Sequence, residues 1–295
     1  MDTLVIGTRG DDDSSESAIA LGLAACATVG AEPVFVNVYP TDFDFPGGAV
    51  DPEWRAFLRT RSDEVLAWAR LAAGDPPGAR YLSVAEPSNA EGLTDAATSA
   101  AAVGIVIGSA HGGVARRLFA GTTADRLFHG SPVPVLIAPP GYAEWAPKRF
   151  TRIVVAYQGT ADGQRALAAA ARTAEASGAS LHLITILERV SRIYGGTISR
   201  EAEEDKLDRM ATQAAAAFTR AADACPAGVH LTTQIIRAND VASALAKVEW
   251  RDEDILMVGS GRSGLLRRVF LGDVSYRIVH GAEVPCVVVP RSSDV

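Results

Sequence analysis

The 295 residues hold only three cysteines, Cys26, Cys225 and Cys286. Odd in number and far apart, they fit neither a disulfide framework nor a zinc site, and a reducing compartment suits them. Basic runs are missing as well. Lys and Arg total 28 against 35 Asp and Glu, a formal charge of −7, which argues against a nucleic-acid groove or an anionic membrane surface. Nor is there a long apolar run. The uncharged, largely apolar stretch from Ala18 to Ala31 falls short of the roughly 20 residues that cross a bilayer. The opening MDTLVIG has no basic stretch ahead of an apolar one, so no signal peptide is expected. These absences predict a soluble, cytoplasmic protein.

What is present is ordinary globular composition, 48% hydrophobic and 21% charged, in a chain about twice the length of a 150-residue domain. The chain also repeats itself. Residues 103–138 and 254–289 align without a gap. Gly108 falls on Gly259, Gly113 on Gly264, Arg116 and Arg117 on Arg267 and Arg268, and Gly121 on Gly272. Farther on, His129 and Gly130 fall on His280 and Gly281, and Val133 and Pro134 on Val284 and Pro285. One offset holds throughout, so the sequence reads as a duplicated domain. The prolines of residues 139–147 cannot continue a helix or a central strand. The expected boundaries are 1–140 and 151–295, with 141–150 as linker.

Within each half, short β-branched runs alternate with Ala-rich stretches of helical spacing. Strands are expected at 3–8, 33–39, 80–85, 103–108 and 133–138, then at 152–157, 180–187, 229–236, 254–259 and 284–290. Helices are expected at 14–30, 53–73, 89–101, 160–178, 199–224 and 240–250. Runs such as Ile105–Ile107 and Val287–Val289 are apolar on both faces, as strands covered on both sides must be. The alternation predicts a doubly wound α/β domain with a parallel sheet, twice over.

Such sheets bind ligands beyond the carboxyl ends of their strands. The repeated loop leaves a strand there and enters a helix near Gly121 or Gly272. Its backbone N–H groups and the positive end of that helix would cradle an anion. Glycines there are equally explained as tight turns and caps. Taken whole, the pattern resembles the universal stress protein family in its tandem form. That family's loop reads Gly-x2-Gly-x9-Gly-Ser/Thr, after a strand ending Val-Gly-Ser and before a Pro-Val-Val strand. Here Ile107-Gly108-Ser109 and Val258-Gly259-Ser260 end the strand, and Pro134-Val135 and Pro285-Cys286-Val287 begin the next. The resemblance covers essentially the full chain. It implies a five-stranded parallel sheet flanked by helices in each domain, pairing of the domains through their last strands, and, in some members, binding of ATP or a related adenine nucleotide, with Mg²⁺ for a triphosphate.

The signature is eroded residue by residue. The second glycine is His111 in the first half and Arg262 in the second, and the Ser/Thr after the last glycine is Thr122 or Asp273. The family's aspartate after the first strand is Arg9 or Gln158. The candidate contacts are Thr8, Arg9, Gly108, Gly113, Gly121 and Thr122 in the first half. In the second they are Tyr157, Gln158, Gly259, Arg262, Gly264, Gly272, Val274 and Ser275. Asp11–Asp13 follow the first strand, where Asp13 or Ser14 would cap a helix and Arg9 would pair with the acidic run. Losing two charged contacts weakens binding by on the order of 10²–10⁴-fold, so a ligand-independent interaction scaffold stands beside the nucleotide reading.

Catalysis finds little support. The five histidines show no metal-ligand spacing, and neither a Gly-x-Ser-x-Gly elbow nor a Gly-x4-Gly-Lys-Ser/Thr loop is present. His129 and His280 read as cations at helix C-termini, each followed by a capping glycine. Trp54, Phe57, Trp68 and Trp250 read as core or interface. Residues 40–51 and 188–198 read as surface loops. The expectation is a non-catalytic binding or regulatory protein with no metal. The protein partner is not identifiable from the sequence, and a further isologous contact between chains would give a homodimer.

Overall fold

The computed structural model describes residues 1–10, 12–40, 52–110, 118, 121–189, 200–260 and 273–290. The chain divides between Arg149 and Phe150 into two compact units. In the first, strands β1 (Thr3–Gly7), β2 (Glu32–Tyr39), β3 (Arg80–Ala85), β4 (Ala102–Gly108) and β5 (Val135–Ala138) alternate with helices α1 (Asp13–Val29), α2 (Pro52–Ala73), α3 (Asn89–Ser99) and α4 (Thr122–Gly130). The strands are parallel, in the order β3-β2-β1-β4-β5. The second unit repeats the plan. Its strands are β6 (Arg152–Ala156), β7 (Ser180–Glu188), β8 (Leu231–Ala238), β9 (Asp254–Gly259) and β10 (Cys286–Val289), again parallel, in the order β10-β9-β6-β7-β8. Its helices are α5 (Ala161–Ser177), α6 (Arg200–Asp223), α7 (Val241–Leu245) and α8 (Asp273–Gly281).

Both units are built by the same local rules. The central strands are sealed on both faces: Leu4, Val5 and Ile6 in one unit and Ile153, Val154 and Val155 in the other are all buried, as helices on both sides of a parallel sheet demand. The first helix of each unit starts on a side-chain cap and ends on a left-handed glycine. Asp12 accepts from the Ser15 N–H at 2.7 Å and Thr160 from that of Gly163 at 3.2 Å. Gly30 and Gly178 close the two helices at φ 71° and 73°, a conformation that costs glycine nothing. The α1 cap is thus Asp12 rather than Asp13 or Ser14. Asp13 faces elsewhere: its carboxylate accepts from the Gly141 N–H at 2.9 Å.

That contact alters the reading of the inter-repeat segment. Residues Tyr142–Glu144 form a 3-10 turn laid on α1. Tyr142 is fully buried, its N–H donates to Ser17 Oγ at 3.1 Å, and its ring meets Trp145 edge-on at 4.5 Å. The stretch expected as a linker begins as part of the first unit's surface.

Three other expectations are corrected. The helix expected at 240–250 is cut to α7, because the chain turns after Leu245 and Trp250 Nε1 donates back to the Leu245 carbonyl at 2.9 Å. His129 and Gly130 lie inside α4, and Gly130 is absent from the positive-φ residues. The cap is Ser131, extended at φ −69° and ψ 132°. Trp54 and Phe57 stack on each other at 5.1 Å on the open face of α2, 44% and 51% exposed, so they are not core.

Candidate functional site

The strand order reverses between β1 and β4, and this is where a doubly wound sheet leaves a crevice at its carboxyl edge. In the first unit a cleft of about 710 Å³ of open space lies there. Its floor is the end of β1 (Gly7, Thr8, Arg9) and of β4 (Ile107, Gly108, Ala110). Val36 and Val38 of β2 and Leu93 of α3 give it an apolar side, and the first turn of α4 closes the other. Neighbouring strands lie about 4.8 Å apart. β2 and β4 flank β1, so the apolar side and the α4 end stand roughly 10 Å apart across it.

Polarity at the α4 end is fixed by its start. Gly121 is the N-cap, extended at φ −79° and ψ −179°, and supplies no side-chain acceptor. The first helical bond is that of the Asp125 N–H to the Gly121 carbonyl at 3.0 Å, so the N–H groups ahead of it have no partner within the helix. They carry the positive end of the helix dipole into the cleft. Among the described residues that line the cleft there is no carboxylate, and Arg9 is the single charged side chain. Arg9 is held lightly. Its backbone N–H donates to Ser15 Oγ at 3.0 Å, while its guanidinium, 51% exposed, stands 3.8 Å from Asp12. Thr8 is buried between strands: its N–H donates to the Val36 carbonyl at 2.9 Å, and its own carbonyl accepts from Asn37 Nδ2 at 2.7 Å.

The second unit answers differently at the matching places. Tyr157 follows β6 as Thr8 follows β1, each N–H bonding to the carbonyl of the next strand, here Ile184 at 2.8 Å. Its ring is fully buried and stacks over Phe218 at 6.2 Å, and its hydroxyl accepts from Gln164 Nε2 at 2.7 Å. Burial raises its pKa, so the phenol stays neutral. Ser275 Oγ donates to the Gly259 carbonyl at 2.9 Å. Val274 is half-buried and Gln158 exposed. Around the strand ends run ion pairs: Arg277 with Glu188 at 2.6 Å, Arg189 with Glu204 at 2.7 Å and Arg237 with Asp208 at 2.7 Å. Among the described residues, Tyr157 and Ser275 are thus turned to partners within the protein itself.

Of the sequence-derived candidates, Thr8, Arg9, Gly108, Gly121 and Thr122 meet in the first cleft. Gly113, Arg262, Gly264 and Gly272 lie outside the described residues, as do His111, Asp11 and the paired arginines 116–117 and 267–268. Sequence reasoning missed Ser15, Val36, Val38, Asn89 and Leu93. A motif search cannot find them, because they come from neighbouring elements. The strand order alone brings β2 and the start of α3 beside the loop. Among the described residues no cluster of three or more His, Cys, Asp or Glu is gathered as a metal would need, and no helix is long and apolar enough to cross a membrane.

Comparison with known proteins places this architecture. The profile of the Universal stress protein family matches residues 1–139 and again 149–290. Universal stress protein Rv2319c of Mycobacterium tuberculosis (strain ATCC 25618 / H37Rv) is 32% identical over 210 residues, 71% of this chain and 72% of that protein. A universal stress protein of Thermus aquaticus is 29% identical over 140 residues, 47% of this chain and 96% of its own length. Among solved structures, a universal stress protein from Archaeoglobus fulgidus DSM 4304 has the same fold over 98% of both chains, with a TM-score of 0.66 at 18% identity. The matches to both halves, with the repeated topology, give the conclusion that the chain belongs to the universal stress protein family and carries its domain twice in tandem.

Proposed function

We propose that this protein is a non-catalytic, nucleotide-binding stress-response regulator whose ligand site is the cleft of the first repeat. The observation that carries the reading is the uncapped start of α4 opening onto a cleft with no carboxylate among its described lining residues. That arrangement favours a phosphate group, and the Val36–Val38 side offers apolar surface to a planar base. ATP or a related adenine nucleotide is the first ligand to try, with Mg²⁺ accompanying a triphosphate. The described lining holds no His, Cys, Asp, Glu or Lys, so a general acid or base has no candidate there, which supports binding without turnover. Cytoplasmic residence and assembly as a homodimer belong to the same proposal, the latter read by light scattering with and without ligand.

The second repeat favours the other reading for itself. With Tyr157 buried and Ser275 bonded inward, it serves as a scaffold that keeps the fold without the ligand.

Calorimetric titration of nucleotide-stripped protein with Mg-ATP tests both statements. Saturable heat with one nucleotide per chain is expected. A Thr8→Tyr variant, which imports the second repeat's residue, is expected to lose that heat while keeping its circular dichroism spectrum. No heat at millimolar ATP would overturn the nucleotide reading and leave the scaffold reading for the whole chain. Two nucleotides per chain would overturn the assignment of the second repeat.

A further inference from the structure

Three buried serines stand in the first two turns of α1, and two of them are already bonded. Ser15 Oγ accepts from the Arg9 N–H at 3.0 Å and Ser17 Oγ from the Tyr142 N–H at 3.1 Å. Ser14 is different. It is only 6% exposed, it lines the cleft, and among the described residues its hydroxyl has no hydrogen-bond partner. A buried hydroxyl left unbonded costs free energy, and nearly all such groups in folded proteins find a partner. The helix does not account for it either. Asp12 is the cap, and alanine would serve the helix better than serine.

Ser14 lies against Gly108 at the end of β4, on the side of the cleft that the start of α4 closes. Its acidic neighbours are occupied elsewhere. Asp12 accepts from the Ser15 N–H at 2.7 Å and Asp13 from the Gly141 N–H at 2.9 Å, and neither lines the cleft. The second repeat has a carboxylate at the matching place. Asp162 sets its carbonyl against Gly259 as Ser14 does against Gly108, and its side chain is paired with Arg165. A carboxylate there repels a phosphate, whereas a hydroxyl donates to one.

We propose, resting on the nucleotide reading of the first cleft, that Ser14 reads the ligand's first phosphate, the one attached to the sugar. With the base on the Val36–Val38 side, that phosphate is the first to reach β4. Ser14 Oγ donates to one of its oxygens, and the open N–H groups of α4 hold it from the other side. The cleft then recognises nucleoside 5′-phosphates as a class, by the one phosphate they share. A nucleoside monophosphate carries the whole of that contact, and Asp162 denies it to the second repeat.

The test is calorimetry on the full chain with adenosine, AMP and Mg-ATP, for the parent, Ser14→Ala and Ser14→Asp, with circular dichroism to follow the fold. Ser14→Ala is expected to weaken AMP and ATP by the same factor, roughly 10- to 150-fold, the range for a hydrogen bond to a charged group. Ser14→Asp, which imports the second repeat's residue, is expected to weaken both further. Adenosine, which has no phosphate, is expected to bind the parent and Ser14→Ala alike. If both variants bind AMP and ATP as the parent does, the assignment of Ser14 is overturned and the cleft stands. A loss for ATP alone would overturn the first-phosphate contact, and an equal loss for adenosine would overturn it in favour of a structural role. If the parent binds neither nucleotide, the nucleotide reading falls and takes this proposal with it.

Discussion

Gly108 lies against Ser14 so closely that a Cβ on the glycine would fall 1.9 Å from the Ser14 carbonyl oxygen. Gly259 stands in the same relation to Asp162, at 2.3 Å from its carbonyl oxygen. The first glycine of the repeated loop is therefore required by the start of α1 or α5 packing on the strand end, whatever else the loop does. Backbone cannot give way as a flexible side chain does. Gly108→Ala and Gly259→Ala are each expected to destabilise their repeat by at least about 1–3 kcal/mol, the range for overpacking. Urea denaturation followed by circular dichroism reads the loss. A wild-type midpoint in either variant would refute this account of the glycine.

At the opposite edge of the second sheet, Arg152 and Asp254 pair across β6 and β9. Arg152 Nε donates to Oδ1 at 2.7 Å and a terminal nitrogen to Oδ2 at 2.5 Å, with Asp254 fully buried. In the first repeat the ladder starts on the uncharged pair Thr3 and Ala102, just before a register shift that the second repeat lacks. Removing one partner strands the other charge, at a cost of about 3–5 kcal/mol. Asp254→Ala and Arg152→Thr should each show it, whereas the double variant, which imports the first repeat's pair, should be more stable than either single one. Additive losses would show that the two side chains act independently.

His182 stands beside this pair on the β7–β8 face, with Nδ1 2.8 Å from Thr232 Oγ1 and Nε2 3.3 Å from Gln234 Oε1. Burial is the first cause that lowers its pKa, with the nearby Arg152 adding to the effect. The unfolded chain, titrating near 6.5, then binds this proton more readily than the folded one. Stability is unaffected above that value and falls as pH drops through it toward the lower folded pKa. A His182→Gln variant should show a flatter loss of stability between about pH 7 and 5.5. Proton NMR should place the His182 titration below the ordinary histidine range, and a titration at or above that range would sink the claim.

The thiols divide by burial. Cys26 is buried on α1 and its pKa is pushed up to about 12, and Cys286, fully enclosed in β10, is raised as well. Cys225 is half-exposed, with Glu175 adding to a smaller upward push. Reaction depends on the thiolate and on access. At pH 8, a disulfide reagent should therefore modify Cys225 in the native protein and reach Cys26 and Cys286 only after denaturant is added. Rapid release of three equivalents from native protein would contradict the packing of α1 and β10.

Much of the fold can be read from the order of the residues. The ungapped match of Gly108 to Gly259 exposes the duplication, and the doubly apolar runs mark the strands, because burial on both faces leaves a composition that no other element shares. Local competition is what hides. Asp11, Asp12 and Asp13 are equally good caps by type, and only the entry angle of α1 selects Asp12. Trp250 reads as another helical aromatic until its indole N–H turns back on Leu245 and ends the helix early. The candidate site divides in the same way. Arg9, Gly121 and Thr122 stand in the motif, but the inward fold of Tyr157 depends on Phe218 and Gln164, one of them on a helix 61 residues away along the chain. No spacing rule carries that distance.

The docking of residues 141–145 on α1 decides how the repeats can be studied apart. A fragment ending at 139 would strip Ser17 and Asp13 of the N–H groups they receive and uncover the part of α1 on which Tyr142 is now buried. Such a fragment exposes surface that the intact chain buries, and a dimer seen only with it would reflect the cut. The faithful dissection point is after Arg149, where the first repeat takes its own lid with it.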